Sequence, residues 1–408
     1  MGNPTTASRR RSTLGVIFVT VFVDLLGFGI VIPLLPYYAH TFNASGATAG
    51  ALIASYSAMQ FVCAPLWGQL SDRIGRRPVI LISLAASTLS YALFASANSL
   101  SALFVSRLLA GVGGANIAVA QAFIVDITSE NERAKGMGVI GAAFGLGFVF
   151  GPAIGGLLAS YGHWAPGLAA TLICGANCAL AAVRLPESLP KTQRNSAARR
   201  TTHPFARLRV AVGKPQLGLF LLLFFAVVFA FATMETTLSL LCAMSFGLTT
   251  SRIYWLFGFM GLMTSLMQGG LIGRLAQRLG ELRVMTSGCA LLAIGLLAIP
   301  FTRPLGSLLL ALAALAFGQG MASPTLSSLI SKLTEASEQG GVLGLSQSVG
   351  SLARIFGPLW GGWLFDWGPA TPYVASGALM VAATIAALRA GDVPDMRAAE
   401  VKPLRASG

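Results

Sequence analysis

Twelve apolar runs recur along this chain, at about 13–36, 49–71, 78–97, 101–124, 136–160, 164–185, 216–241, 252–272, 283–301, 305–330, 340–364 and 371–390. Each has about the length a helix needs to cross a hydrocarbon layer, near 20 residues. In lipid the backbone must satisfy its own hydrogen bonds, so only helices and closed barrels can span it. Runs this long without period-2 alternation predict helices. Composition agrees, because only 10% of the residues are charged and 55% are hydrophobic, with a mean hydropathy of +0.73. Soluble domains carry roughly 25% charged residues, and so few ions cannot cover the surface of two or three soluble domains. The expectation is an all-α polytopic membrane protein with twelve transmembrane helices.

The polar stretches divide the chain. A tail (1–12) precedes a six-helix bundle (13–185), a basic linker (186–215), a second six-helix bundle (216–390) and a final tail (391–408). With an inside N-terminus, 24 of the 28 Lys and Arg fall in the tails and the even-numbered loops. Arg252 and Arg303 lie on the opposite side, and Arg107 and Arg354 lie within helices. Basic loops mark the cytoplasmic side, so both termini and the linker are expected there, in a multi-pass protein of the cell (inner) membrane. The net charge of +14 is thereby topogenic, and nucleic acid is excluded as a partner. The first run holds Asp24 and continues to Pro36, too long for a signal peptide.

No enzyme chemistry is legible. The five cysteines sit in apolar runs, and Cys174 and Cys178 have no His or carboxylate to complete a zinc set, so no metal and no cofactor are expected. His40, His163 and His203 fall in loops, and no nucleophile–base set or phosphate loop accompanies them.

The chain repeats itself. Gly68-Gln69-Leu70-Ser71-Asp72-Arg73-Ile74-Gly75-Arg76-Arg77 after the second run returns as Gly273-Arg274-Leu275-Ala276-Gln277-Arg278-Leu279-Gly280 after the eighth, 205 residues later. Gly151-Pro152-Ala153-Ile154-Gly155-Gly156 in the fifth returns as Gly357-Pro358-Leu359-Trp360-Gly361-Gly362 in the eleventh, 206 residues later. Two unrelated motifs at nearly one offset predict a duplicated six-helix unit, a known transporter plan. In the first motif the glycines permit a tight turn, the arginines anchor it in the headgroups, and Asp72 can bridge Arg76 or sit at a helix N-terminus. In Gly147-x-x-x-Gly151-Pro152-x-x-Gly155-Gly156 small residues four apart let another helix approach, and Pro152 bends its own.

Ions within the runs are costly and point to function. Asp24 lies about eleven residues from the inner end of its helix, and Arg107 about seven from the outer end of its own, so by residue rise their depths match to about a turn. An Asp24–Arg107 pair would relieve their burial, and a carboxylate among apolar helices ionises less readily than in water. In the second half the ions are Glu235 and Arg354.

Together these motifs resemble the major facilitator superfamily, and within it the twelve-helix drug:proton antiporters that include the tetracycline exporters. The likeness spans about 13–390. It implies two pseudo-symmetric six-helix halves, and that Gly68, Asp72, Arg73, Gly75, Arg76 and Arg77, with Asp126, form a cytoplasmic gating latch. It also implies that the Gly147–Gly156 motif marks antiporters, that Asp24 binds the coupling proton with Arg107 tuning it, and that Glu235 and Arg354 assist. The protein is expected to be a monomer. The chain departs from the tetracycline exporters at Leu89-Ser90-Tyr91, where they have an acid before the tyrosine, and in lacking an acid within 283–301. The metal–tetracycline chelate is therefore not an expected substrate. Gln277 in place of an acid predicts a weaker second latch. Polar and soft side chains within the runs are the candidates for substrate contact: Tyr56, Gln60, Asn116, Gln121, Met234, Phe259, Met263, Gln268, Gln319 and Gln347. Such a lining suits bulky amphipathic compounds better than sugars. The expectation is a proton-coupled antiporter that exports small amphipathic molecules or drugs, a multidrug-efflux or antibiotic-resistance role, with the bilayer, protons and the substrate as its partners. A proton symporter or facilitator importing a metabolite, and a non-transporting receptor or assembly factor, are the alternatives.

Overall fold

The computed structural model describes residues 4–128, 143, 146–147, 149–162, 164–190, 215–333 and 339–390. The start of the fifth run, most of the linker, His163, His203 and the C-terminal tail lie outside them. Among the described residues twelve helices follow in order. The first six are α1 (Thr13–Thr41), α2 (Gly46–Ile74), α3 (Arg76–Ala95), α4 (Leu100–Ile127), α5 (Val149–Tyr161, with helical residues before it) and α6 (Trp164–Arg184). The second six are α7 (Pro215–Phe246), α8 (Thr250–Leu279), α9 (Glu281–Phe301), α10 (Leu305–Lys332), α11 (Gln339–Trp367) and α12 (Thr371–Arg389). No strand occurs among the described residues. α2 and α4 begin at capping serines: Ser45 accepts from the Thr48 N–H at 3.2 Å and Ser99 from the Ala102 N–H at 3.3 Å.

The duplication is visible in the backbone. Between α2 and α3 the chain turns on Gly75 (φ 110°, ψ 159°), and between α8 and α9 on Gly280 (φ 85°, ψ 148°). Side-chain-bearing residues rarely adopt either conformation, so both turns require glycine. The packing repeats as well: α3 packs on α4 and α6, and its counterpart α9 packs on α10 and α12. The small residues Gly288 and Gly318 bring α9 and α10 together, since a Cβ on Gly288 would lie 2.9 Å from the Gly318 carbonyl.

Among the described residues three helices are interrupted. In α1 the regular segments end at Val31 and resume at Leu34, because Pro33 carries no N–H. Pro33 therefore interrupts α1 rather than ending it, and it runs on to Thr41. In α4 the break falls between Gly114 and Ile117, and α8 contains a π turn at Met267–Leu271. Backbone groups freed by such breaks need partners. At the α4 break the carbonyl of Gly114 accepts from Gln60 Nε2 at 2.8 Å, and that of Val112 from Trp67 Nε1 at 2.7 Å.

The chain divides into two compact units. One comprises residues 1–201 and 236–261, the other 202–235 and 262–408. In the second, the aromatic row Trp360, Trp363 and Trp367 on α11 has successive ring centroids 5.5 and 4.5 Å apart. With Phe229, Phe356 and Leu359, the first two of these tryptophans line a shallow groove of about 310 Å³.

Candidate functional site

Asp24 sits on the unbroken part of α1 and is 6% exposed. Its carboxylate accepts a hydrogen bond from Ser87 Oγ on α3 at 3.0 Å and another from the Asn116 side chain at the α4 break. Tyr56 and Gln60 on α2 border the same break. The Tyr56 hydroxyl lies against Gly114, Gln60 Nε2 reaches it at 3.4 Å, and its ring packs 4.8 Å from that of Phe28, four residues beyond Asp24. Three of the ten predicted substrate contacts, Tyr56, Gln60 and Asn116, thus gather at the α4 break, and Asn116 among them bonds the acid. Ser87 and Phe28 join them unannounced by the sequence, because a serine or phenylalanine in a membrane run carries no signal of its own.

Arg107, on α4, is 1% exposed. It forms neither a hydrogen bond nor an ion pair with Asp24. Its Nε lies 3.4 Å from Ser106 Oγ, and its Nη2 is buried without a hydrogen-bond partner. The guanidinium carbon lies instead 5.8 Å from the ring centroid of Tyr91 and 5.2 Å from that of Phe94, both on α3, within cation–π range. Asp24 and Arg107 meet α3 about a turn apart, at Ser87 and Tyr91. Aromatic stacking takes the place of the expected pair.

Of the other substrate candidates, two share the unit that holds Asp24. Gln121 on α4 and Phe259 on α8 are half-buried in the same unit. In the second unit Met234 is fully buried, Met263 half-buried, Gln268 exposed within the π turn of α8 and Gln347 exposed on α11. There the Gln319 Oε1 is buried without a hydrogen-bond partner. Glu235 lies within electrostatic reach of Arg354, whose Nη2 also reaches Ser351 Oγ at 3.4 Å.

At the α2–α3 turn, Arg76 holds a network together. Its Nη1 reaches Asp72 Oδ1 and Ser71 Oγ, each at 2.6 Å, and its Nε donates to Asp126 Oδ2 at 3.2 Å. Arg77 Nη2 donates to the Ala182 carbonyl at 2.6 Å, whereas Arg73 is exposed and Gly68 has open space beside it. Two residues of the expected linker belong to this network. Glu187 Oε1 accepts from the N–H groups of Arg76 (2.8 Å), Ser188 (3.1 Å) and Leu189 (3.1 Å), and Ser188 Oγ donates to Asp126 Oδ2 at 2.9 Å. Glu187 thereby places a carboxylate at the N-terminus of α3, where the helix dipole favours it. The signal was an acid directly after the helix-ending Pro186.

The α5 motif is a packing surface. A Cβ on Gly147 would lie 2.8 Å from Leu25 Cβ, and one on Gly151 2.7 Å from Gly29 Cα, so α1 and α5 touch backbone to backbone. Gly155 and Gly156 instead receive Tyr254 of α8. A Cβ on Gly155 would overlap its ring, and one on Gly156 would come within 2.7 Å of its Cβ. The Tyr254 hydroxyl donates to the Ile30 carbonyl at 2.8 Å, in the last turn before the α1 break, and Ser251 Oγ donates to the Gly156 carbonyl at 3.1 Å. In the second half Thr233 Oγ1 donates to the Gly357 carbonyl at 3.1 Å across the corresponding α7–α11 contact.

All five cysteines are free, and among the described residues no group of three or more His, Cys, Asp or Glu could hold a metal ion.

The sequence model of the Major Facilitator Superfamily matches residues 17–305 and 269–406. The chain is 33% identical over 354 residues to Tetracycline resistance protein, class C, of Escherichia coli, covering 86% of this chain and 89% of that one. It is 31% identical over 372 residues to Multidrug resistance protein 2 of Bacillus subtilis (strain 168), covering 90% and 92%. Among solved structures it is similar to the human organic anion transporter MFSD10 (TETRAN), with a TM-score of 0.68 and 28% identity over 95% of this chain and 100% of that one.

Proposed function

The chain belongs to the major facilitator superfamily of membrane transporters, and on that premise we propose that it is a proton-coupled antiporter exporting small amphipathic molecules by alternating access. It is a multi-pass membrane transporter and not an enzyme. In this reading it works as a monomer in the cell membrane, with both termini cytoplasmic.

One observation carries the coupling: a buried carboxylate, Asp24, held by the neutral donors Ser87 and Asn116 rather than by a cation. An acid so placed can exist neutral or ionised without breaking an ion pair, which proton exchange requires. Asp24 takes up the proton, Arg107 supplies a fixed positive charge nearby, and Glu235 with Arg354 assists from the second half. The Arg76 network is the cytoplasmic latch. Tyr56, Gln60 and Asn116, at the α4 break where Asn116 bonds Asp24, are the foremost substrate contacts, so substrate and proton compete for one region. Export is supported by the relatives named for tetracycline and multidrug resistance.

The human structural neighbour is an organic anion transporter. A buried, always-charged Arg107 with a spare N–H favours substrates carrying a carboxylate or similar anionic group. The test is flux in proteoliposomes with an imposed pH gradient, using matched anionic and neutral fluorophores. Gradient-driven movement opposite to the proton, with the anionic member preferred, is expected. Movement in the same direction as the proton would instead favour the symporter.

A further inference from the structure

Asp24 and Arg107 address one face of α3, a turn apart. Ser87 meets the acid, and Tyr91, four residues on, meets the base. Tyr91 also abuts α1: a Cβ on Gly27 would lie 2.8 to 3.0 Å from its Cε2, Cζ and Oη. Gly27 is one turn beyond Asp24 on the same helix. The tyrosine ring therefore stands between the two ions, 3% exposed, with its face toward the guanidinium and its edge against the helix that carries the acid.

That arrangement has an electrostatic consequence. A guanidinium in direct contact with a carboxylate in a low-dielectric site holds it ionised. A guanidinium stacked on aromatic rings keeps its own charge solvated while leaving the acid unneutralised. We propose that Tyr91 is a positioning residue, a spacer whose ring keeps Arg107 off Asp24 so that the acid can take up and release a proton. The proposal rests on the coupling role of Asp24. The titratable and charged groups facing Asp24 are Tyr91 on α3, Cys174 with Cys178 a turn beyond on α6, and, past Tyr91, Arg107 on α4 and Tyr56 on α2. The facing part of α5 is Gly147 and Gly151. Thiols and phenols ordinarily titrate above about pH 8, so in the neutral range the acid and the arginine set the balance.

The test needs no substrate. The full-length protein is reconstituted in lipid, and the infrared carbonyl band of protonated carboxylic acid is followed against pH, the Asp24 contribution being what Asp24→Asn removes. Tyr91→Leu is expected to lower the midpoint of that band by about one pH unit or more, the effect of a new Arg–carboxylate contact. Tyr91→Phe, which keeps the ring, is expected to leave it in place, and Tyr91→Leu/Arg107→Gln to cancel the shift. An unmoved midpoint in Tyr91→Leu overturns the proposal, as does an equal shift in Tyr91→Phe, which would assign the effect to the hydroxyl. If Tyr91→Leu does not fold, Arg107→Lys probes the same point without opening a cavity. An ammonium lacks the planar face that stacks on the rings, so its midpoint also falls, and an unchanged one overturns the spacer. A band that Asp24→Asn does not alter would sink the coupling role itself, a separate result.

Discussion

Lys332 Nζ lies 3.1 Å from Glu281 Oε2, at positions that correspond, 206 and 205 residues earlier, to Asp126 and Arg76. The same two helix ends are thus joined by an ion pair in both halves, with the charges exchanged. In the first half the cation opens α3 and the acid closes α4, whereas in the second the acid opens α9 and the cation closes α10. Each second-half charge suits its helix dipole, acid at the N-terminus and cation at the C-terminus. Ser328 Oγ adds a hydrogen bond to Glu281 at 3.0 Å. The second-half turn, where Gln277 stands in place of an acid, thus carries a different ion pair.

Exchanging that pair is expected to be tolerated. Glu281→Lys and Lys332→Glu should each lower thermal stability through like-charge contact, and the double variant should recover it. The side chains are 22% and 35% exposed, so the cost of neutralising either alone is expected to be about 1 kcal/mol or less. Thermal unfolding of the detergent-purified protein reads this, and a double variant no better than the singles would count against the pairing.

Arg76→Gln is expected to cost more than Lys332→Gln. Arg76 is 7% exposed and serves Asp72, Asp126 and Ser71 together, so its loss leaves two acids facing each other. Glu187→Gln should cost about 1 kcal/mol, the scale of a lost N-terminal charge and cap. The same unfolding assay ranks the three, and equal losses for Arg76→Gln and Lys332→Gln would contradict the network.

The fold was legible because hydropathy and a single repeat offset are properties of the chain alone, and ten of the helices are long and apolar enough to be found that way. The Asp24 cluster was legible only in part. Residue counting puts Asp24 and Arg107 at similar levels of their helices, but which way each side chain points depends on helix rotation, set by contacts such as Gly27 against Tyr91. Glu187 was hidden by its place in a polar stretch that looks like linker. The exchanged pair was within reach, since applying the offset to every charged residue, rather than to matching motifs, aligns Arg76 with Glu281.

Tyr254→Phe removes the donor to the Ile30 carbonyl and is expected to cost about 1–2 kcal/mol, the penalty for leaving a buried acceptor unpaired. Gly155→Ala should cost more, because its Cβ would overlap the tyrosine ring. A Gly155→Ala protein as stable as the parent would show that the ring is not seated as described.

Ser87→Ala should shift the pH dependence of transport upward. The serine hydroxyl donates to the carboxylate and so favours its ionised form. Without that donor the acid keeps its proton to higher pH, and the half-maximal point of gradient-driven flux moves to the alkaline side. An acid-ward shift would reverse the assigned role of the hydrogen bond.

The role of Asp24 is tested most directly by comparing the parent and Asp24→Asn in proteoliposomes carrying an imposed pH gradient and an amphipathic fluorophore. The parent is expected to drive the fluorophore against its own concentration gradient, and Asp24→Asn to bring it only to equality across the membrane. Uphill accumulation of equal extent in Asp24→Asn would contradict the coupling.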